Sequence, residues 1–368
     1  MECLLIADDL TGACDAAVQF TGRGCRAGVA LELGAGALNA DVLAVSTESR
    51  SLGAEEAGQA IGELALRFAD TKARILFKKI DSTLRGNTGA EIAATVSAFG
   101  CDAAVITPAF PAMKRIVSDG WLRVDGPVEF EAVELGGYFQ AQGLESHRHV
   151  GTGGVAVAIG GGGRYVSVDA LCDADLDAVV ETMMDWKGRI LWAGSAGLAA
   201  ALARSISAGR ERIARPVKRF GPVLFCIGST HPATLAQQRR LLAERPVCAL
   251  SAEAASPRQI VDALGGGRSV ILEIPRGRVP EGRIAELLLG VRDVAGAMAL
   301  SGGDTASHVG RALRAQGIEL HDEVEAGIPW GTLRGGVFDG VAVATKSGAF
   351  GDSGALIGIT DFFTCPKA

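Results

Sequence analysis

Several familiar signatures are missing from this sequence, and each absence removes a class of function. Its eight cysteines, at 3, 14, 25, 101, 172, 226, 248 and 365, include no C-x-x-C pair. Neither a zinc site nor a disulfide framework is therefore expected. Cys3, Cys226 and Cys248 sit in apolar runs and read as free thiols buried as small hydrophobes in a reducing compartment. No stretch approaches the roughly 18 apolar residues of a membrane-spanning helix. The first ten residues lack a basic segment and run straight into two aspartates, so no signal peptide is expected and the chain reads as cytoplasmic. There is no basic tract either. Lys and Arg total 36 against 42 Asp and Glu, a net charge of −6, which leaves no footprint for nucleic acid or an anionic membrane. A local cluster of cations can still hold a small anion.

Both common nucleotide fingerprints are missing: no G-x-x-x-x-G-K-[ST] occurs, and no G-x-G-x-x-G lies between a strand and a helix. The five histidines do not cluster, which argues against a zinc enzyme. His147 and His149 read as exposed residues of a polar loop, and His231 and His308 as polar residues near helix starts. Ser195, in Gly194-Ser-Ala-Gly197, lacks the G-x-S-x-G spacing of a serine hydrolase.

What the chain does have is alternation. At 368 residues two domains are expected, and 48% apolar against 21% charged residues is the balance of a globular protein. The apolar run Cys3–Ala7 reads as a buried parallel strand leading through a polar turn into a helix. Strands at 42–46, 75–79 and 103–107 alternate with helices near 54–68 and 89–99. Residues 115–165, punctuated by glycines including the run Gly160 to Gly163, read as turns, hairpins and loops. A strand at 190–192 and a helix from Leu198 resume the rhythm. The polar, basic stretch 208–218 sets an expected boundary near residue 215, giving domains 1–214 and 215–368. Strands at 223–227, 269–274, 297–300 and 341–345 follow, with helices through Leu242, over 283–294, and from 305 to Gly317. The predicted fold class is α/β, two domains each with a mainly parallel, helix-covered sheet.

In such sheets ligands bind at the carboxyl ends of the strands. The residues just past those ends are Asp8 and Asp9, the stretch Lys78 to Asn87, Gly194-Ser195, Gly228-Ser229, Ser301 to Thr305 and Lys346 to Asp352. An aspartate at a helix entrance can simply cap it. Two adjacent carboxylates can also hold substrate hydroxyls, accept a proton or help bind Mg²⁺. Arg85 offers a planar fork for a carboxylate or phosphate, and Gly86 allows close backbone approach. Paired glycines with Ser and Thr at 301–305, and a second glycine turn after Lys346, suit the phosphates of a nucleotide.

Four segments carry a resemblance: Ile6-Ala-Asp-Asp-Leu-Thr-Gly-Ala13, Lys79-Ile-Asp-Ser-Thr-Leu-Arg-Gly-Asn87, Ser301-Gly-Gly-Asp-Thr305 and Lys346-Ser-Gly-Ala-Phe-Gly351. Together they resemble the four-carbon acid sugar kinase family, over essentially the whole chain. The resemblance implies an N-terminal sugar-acid domain and a C-terminal ATP domain closing on each other, with the active site in the cleft between them. It implies ATP-dependent phosphorylation of the terminal hydroxyl of a short sugar acid, such as threonate or a 3-oxo-tetronate, with Mg²⁺. Asp8, Asp9 and Arg85 would lie in the sugar-acid pocket, with Lys79 and Asp81 nearby. Ser229, Gly302, Gly303, Asp304, Thr305 and Gly348 would line the ATP site. Where the family pattern has a Gly-Arg-Thr-like segment after Pro108-Ala-Phe-Pro111, this chain has Lys114-Arg115-Ile116. The expected partners are small molecules only, a sugar acid and ATP; a homo-oligomer is compatible with this reading. A non-catalytic binding regulator, or a sugar-phosphate enzyme that does not use ATP, are the competing readings.

Overall fold

The computed structural model describes residues 1–32, 38–126, 129–206, 211 and 220–365. The boundary expected near residue 215, with most of the basic stretch around it, lies outside the described residues. The chain divides into two compact units, Met1–Cys25 with Ala40–Arg212, and Arg26–Asn39 with Ile213–Ala368.

The first unit is built on seven parallel strands. In order across the sheet they are Val42–Ser46, Cys3–Ala7, Ile75–Lys79, Ile190–Gly194, Ala103–Thr107, Tyr165–Val168 and His147–Val150. Cys3–Ala7, Ile75–Lys79 and Ala103–Thr107 are buried at every position, which is why they read as largely apolar runs, and Ile75–Lys79 buries even the two lysines at its end. Helix Ala54–Arg67 turns Ala57, Ile61, Leu64 and Ala65 inward, and the Glu56 carboxylate accepts from the Gly53 N–H to cap it.

The sequence reading loses definition over 115–165. That stretch contains a small antiparallel sheet (Arg115–Ser118, Trp121–Val124, Val133–Glu134), two short helices and the last two strands of the parallel sheet. His147 and His149 are not in an exposed loop. They lie on strand His147–Val150, and both rings bond the buried Ser167 hydroxyl, at 2.9 and 2.8 Å. Polar side chains on an outer strand, satisfied by Ser167 and, for His149, also by Asp169, disguised it as a loop. The glycine run closes helix Val155–Gly160: Gly161, Gly162 and Gly163 each donate to a carbonyl of its last turn.

In the second unit five parallel strands, Val247–Ser251, Ser269–Glu273, Val223–Ile227, Ala297–Ser301 and Ala342–Lys346, are followed by Ile328–Arg334, Gly317–Glu325 and Ala27–Ala30, all antiparallel. The helix expected to run to Gly317 stops at Ala312. Beyond it lies the Gly317–Arg334 hairpin, whose polar-apolar alternation is interrupted by register shifts at Leu320/Asp322 and Glu323/Glu325, which hid it. The helix expected over 283–294 ends at Leu287, where Gly290 at φ +77° breaks the course. Residues 26–39 do not belong with the rest of 1–214. Ala27–Ala30 pairs with Gly317–Leu320, and a β-carbon at Gly28 would sit 3.2 Å from Leu38 Cδ1. Trp330, Phe225 and Phe363 are central to this unit's core. None of the eight cysteines is in a disulfide, with Cys3 and Cys226 buried and Cys248 half-buried. Among the described residues, no helix is long and apolar enough to cross a membrane.

Candidate functional site

Parallel strands deliver their following loops to one edge of the sheet. In the first unit that edge collects the loops after Ala7, Ser46 and Lys79. Asp9 does cap helix Leu10–Val18: its Oδ1 accepts the Gly12 N–H at 2.6 Å. Capping does not exhaust it, because its Oδ2 also accepts from Arg50 Nη1. Asp8 takes the same guanidinium in a fork, Nε to Oδ2 and Nη2 to Oδ1, both 2.8 Å. Arg50 Nη2 lies 3.7 Å from Asp81, whose carboxylate also receives Arg85 through Nε at 3.1 Å and Nη2 at 2.6 Å. Three buried carboxylates and two arginines thus form one array. Half of the Arg85 side chain, 49%, is exposed, so of the two it is the one open to a ligand.

The array drives the adjacent aspartates in opposite directions. Burial works to raise Asp8, but the forked Arg50, with Lys78 and Lys79 behind, outweighs it and holds the carboxyl below its ordinary range. Asp9 is raised, by burial and by the neighbouring Asp8 charge, against the pull of Arg50. Burial likewise opposes the charge on Asp81, yet Arg85 and Arg50 hold that group far below the ordinary carboxylate range. The 81–86 loop is shaped for these contacts. Leu84 and Gly86 both adopt positive φ, and a β-carbon at Gly86 would meet Asp8 Oδ2 at 3.3 Å and Arg50 Cγ at 3.4 Å. Lys79 is buried, with Nζ donating to the Ile80 carbonyl at 3.0 Å.

Arg50 is aimed from behind. Glu91, on helix Thr88–Ala98, pairs with the fully buried Lys78 at 2.6 Å and accepts from the Ser49 hydroxyl at 2.5 Å. Thr47 bonds Ser49, and the Asn87 amide donates to the Ser49 and Leu52 carbonyls. Replacing Glu91 by Gln strands a buried ammonium, at an expected cost of about 3–5 kcal/mol. Urea unfolding of E91Q should show the loss. A Lys78→Met, Glu91→Gln double variant should recover part of it, and an unchanged E91Q midpoint would mean the pair carries no charge.

In the second unit three strand ends converge. Gly228-Ser229 follows Val223–Ile227, Gly302 to Thr305 follows Ala297–Ser301, and Ser347-Gly348 follows Ala342–Lys346. Their spacing leaves no room for side chains. A β-carbon on Gly348 would sit 2.2 Å from Ser229 Oγ, and one on Gly228 would sit 2.2 Å from Thr305 Oγ1. Gly302, at φ +99°, opens helix Gly303–Ala312 and faces the Ser229 backbone nitrogen. Asp304, in the first helical turn, pairs with Arg276 at 2.8 Å. The result is a backbone-lined cradle at a helix N-terminus, fit for phosphate oxygens. Among the described residues, no group of three or more acidic, His or Cys side chains forms a metal cage. A magnesium ion held chiefly by phosphates needs none.

Lys346, the cation expected beside this turn, points inward. Its Nζ contacts Thr234 Oγ1 at 3.3 Å and the Ser347 and Phe350 carbonyls at 3.0 and 3.1 Å. Burial, against a weaker pull from Glu325, lowers its pKa to about 7 from the ordinary 10.5. Between those values the unfolded chain binds the proton and the folded chain does not, so stability should rise with pH by up to about 1.4 kcal/mol per unit. Urea midpoints from about pH 7 to pH 9 should climb less in Lys346→Met than in the parent. Equal slopes would place the lysine charged.

Residues 3–137 match the description "Sugar-binding N-terminal domain", and residues 274–356 match "Nucleotide-binding C-terminal domain". A D-threonate kinase of Bordetella bronchiseptica is 35% identical, over 96% of this chain and 95% of that protein. The chain belongs to the four-carbon acid sugar kinase family. A more distant member, a 3-oxo-tetronate kinase of Brucella melitensis, is 28% identical over 94% of this chain and 92% of its own length. A solved Haemophilus influenzae protein of family DUF1537 shares the fold, with a TM-score of 0.71 at 24% identity over 98% of both chains.

For this family member, sequence reasoning missed Arg50. It follows a strand end like the other site residues, in Thr47-Glu-Ser-Arg50, but no glycine marks the turn. Arg115 was noted only as part of a departure from the family pattern. Lys114 adopts φ +58°, a conformation that suits the glycine of that pattern, and so keeps Arg115 in the field of Asp81 and Asp15. Tyr138, on a helix inside the stretch read as loops, donates to the Leu84 carbonyl at 2.8 Å. Ser195 is no nucleophile: it is fully buried, caps helix Ala196–Ser205 and donates to the Ala109 carbonyl.

Proposed function

We propose that this protein is an ATP-dependent kinase that phosphorylates the terminal hydroxyl of a four-carbon sugar acid, D-threonate first, in the cytoplasm. The observation that carries the reading is the array of Asp8, Asp9, Arg50, Asp81 and Arg85 at neighbouring ends of parallel strands. The name of the 35% identical relative supports the choice of acid. The first unit is the sugar-acid domain and the second the nucleotide domain in this proposal.

Phosphoryl transfer asks a protein mainly for positioning and charge stabilisation. Arg85, half-exposed and held along one edge by Asp81, binds the substrate carboxylate and fixes which hydroxyl is presented. Asp8, locked by the Arg50 fork, stays ionised and orders the site. Asp9 keeps the higher proton affinity of the pair and accepts the proton of the attacking hydroxyl. Backbone N–H groups of Ser229, Gly303, Thr305 and Gly348 receive the phosphates, Gly302, whose own N–H bonds the Lys346 carbonyl, lets them approach, and Asp304 stands at the rim. Magnesium, held with the nucleotide, supplies neutralisation of phosphate charge.

The test is ADP release with Mg·ATP against D-threonate, D-erythronate and 3-oxo-tetronates. Turnover that requires D-threonate supports the proposal. Turnover confined to a 3-oxo acid would move the substrate to the oxidised class, and no acid-dependent ADP with any member would overturn the kinase reading. Arg85→Ala should cost about 10²-fold or more in acid kcat/KM while nucleotide affinity stays within about twofold. Loss of nucleotide binding in that variant would count against the division of labour between the units.

A further inference from the structure

At the opposite edge of the first unit's sheet lies a cavity of about 450 Å³, within the size range of small-molecule sites. Ile75 and Ile190, the first residues of two parallel strands, open onto it, whereas the acid array follows the last residues of such strands. Four residue steps separate the two ends, about 13 Å along the strand. Lys72, Arg74 and Arg189 are among its lining residues, and none of the lining residues is acidic. In a chain of net charge −6, three cations without a lining carboxylate make a locally anion-selective site. Of the nearby acids, Glu2 lies 4.0 Å from Arg74 and offsets part of that one charge, and Asp102 Oδ2 is taken by the Arg189 backbone N–H at 2.7 Å.

The cavity wall is built rather than incidental. Asp102 also donates its own N–H to the Arg189 carbonyl at 2.8 Å, so the Arg189 backbone is clamped from both sides. Trp186 is half-buried, with its indole between two glycines. An added β-carbon would sit 3.7 Å from the ring at Gly160 and 3.1 Å from Nε1 at Gly188. Gly188 has no room for a side chain, because Asp102 Oδ2 would lie 2.7 Å away. The indole is therefore held as a fixed platform, with the buried Trp192 also lining the cavity. A planar ring against indole and an acidic group among lysine and arginine is the complement of this lining.

We propose that the cavity around Trp186 and Arg189 is a second ligand site, separate from the sugar-acid array, for a small aromatic anion: a planar ring bearing a carboxylate, sulfonate or phosphate. The inference does not depend on the kinase reading.

The experiment is tryptophan fluorescence of the full chain titrated with naphthalenesulfonate, with neutral naphthol as control. The expected result is saturable quenching with Kd below about 1 mM, and at least about tenfold weaker binding of naphthol. Lys72 and Arg189 are exposed, the Arg189 guanidinium lying 5.9 Å from the Phe99 ring centroid, and K72A/R189A, its fold checked by urea unfolding, should weaken naphthalenesulfonate by about tenfold or more. Trp186→Phe should remove most of the quenching. D-threonate with ADP should leave the titration unchanged. Absence of saturation, unchanged affinity in the double variant, or displacement by D-threonate with ADP would each overturn the proposal.

Discussion

Replacing Arg50 with Ala should lower sugar-acid turnover by about 10²-fold or more and destabilise the first unit by about 3–5 kcal/mol. Both effects have one cause. A single guanidinium neutralises Asp8 through two 2.8 Å bonds, reaches Asp9, and lies 3.7 Å from Asp81. All three carboxylates are at most 6% exposed. Remove the arginine and Asp8 and Asp9 are left as adjacent buried charges, with only the lysines and the helix cap to oppose them. Their proton affinities must rise, so residual activity should need a higher pH than the parent's. Lysine at this position should restore little, since one ammonium cannot fork Asp8 while also meeting Asp9. Steady-state ADP release across pH, paired with urea unfolding, separates the outcomes. Lost stability with intact turnover would make Arg50 a purely structural cation, and no change in either would mean the array is not formed in solution.

The second large effect is expected in the glycine cradle of the second unit, the proposed nucleotide site. Gly348→Ala places a methyl group 2.2 Å from Ser229 Oγ and 3.2 Å from Ser229 Cβ, so the Ser229 hydroxyl must turn away and its β-carbon must give. Overpacking of this kind costs about 1–3 kcal/mol, and here it falls on the backbone that would meet the phosphates. The KM for ATP should rise by about tenfold or more, while acid protection of the first unit against unfolding is retained. Ser229→Gly deletes both clashing atoms. The double variant Ser229→Gly, Gly348→Ala should therefore recover most of the lost nucleotide affinity. Failure of that rescue, with the fold intact, would show that Gly348 acts through something other than its proximity to Ser229.

The two predictions draw on different sources. The meeting of Gly348, Gly302 and Ser229 at strand ends was legible in the sequence, because close approach of loops needs absent side chains, and glycine leaves that mark. Asp8, Asp9, Asp81 and Arg85 were legible for a related reason: charges directly after an apolar strand must face the open edge of the sheet. Arg50 follows the same rule, but its turn is Thr-Glu-Ser and carries no mark. Only the side-by-side placement of Val42–Ser46 and Cys3–Ala7 brings it onto the aspartates. Lys78 was read as a strand-end cation, but it lies inside the strand, and its pairing with Glu91 was opaque, since a buried ion pair between a strand and a helix has no sequence spacing.

Local periodicity and turn chemistry thus determined the α/β class, most parallel strands and the chemical character of both strand-end clusters. These depend on residues near in sequence, where burial on both faces of a strand or a missing β-carbon leaves a direct trace. Tertiary structure decided what depends on distant pairing. Ala27–Ala30 leaves the first unit to join the second through Gly317–Leu320. The His147–Val150 strand is stabilised by Ser167 rather than by apolar content. The opposite proton affinities of Asp8 and Asp9, neighbours with identical side chains, arise from how one guanidinium divides itself between them, and that division exists only once the strands have assembled.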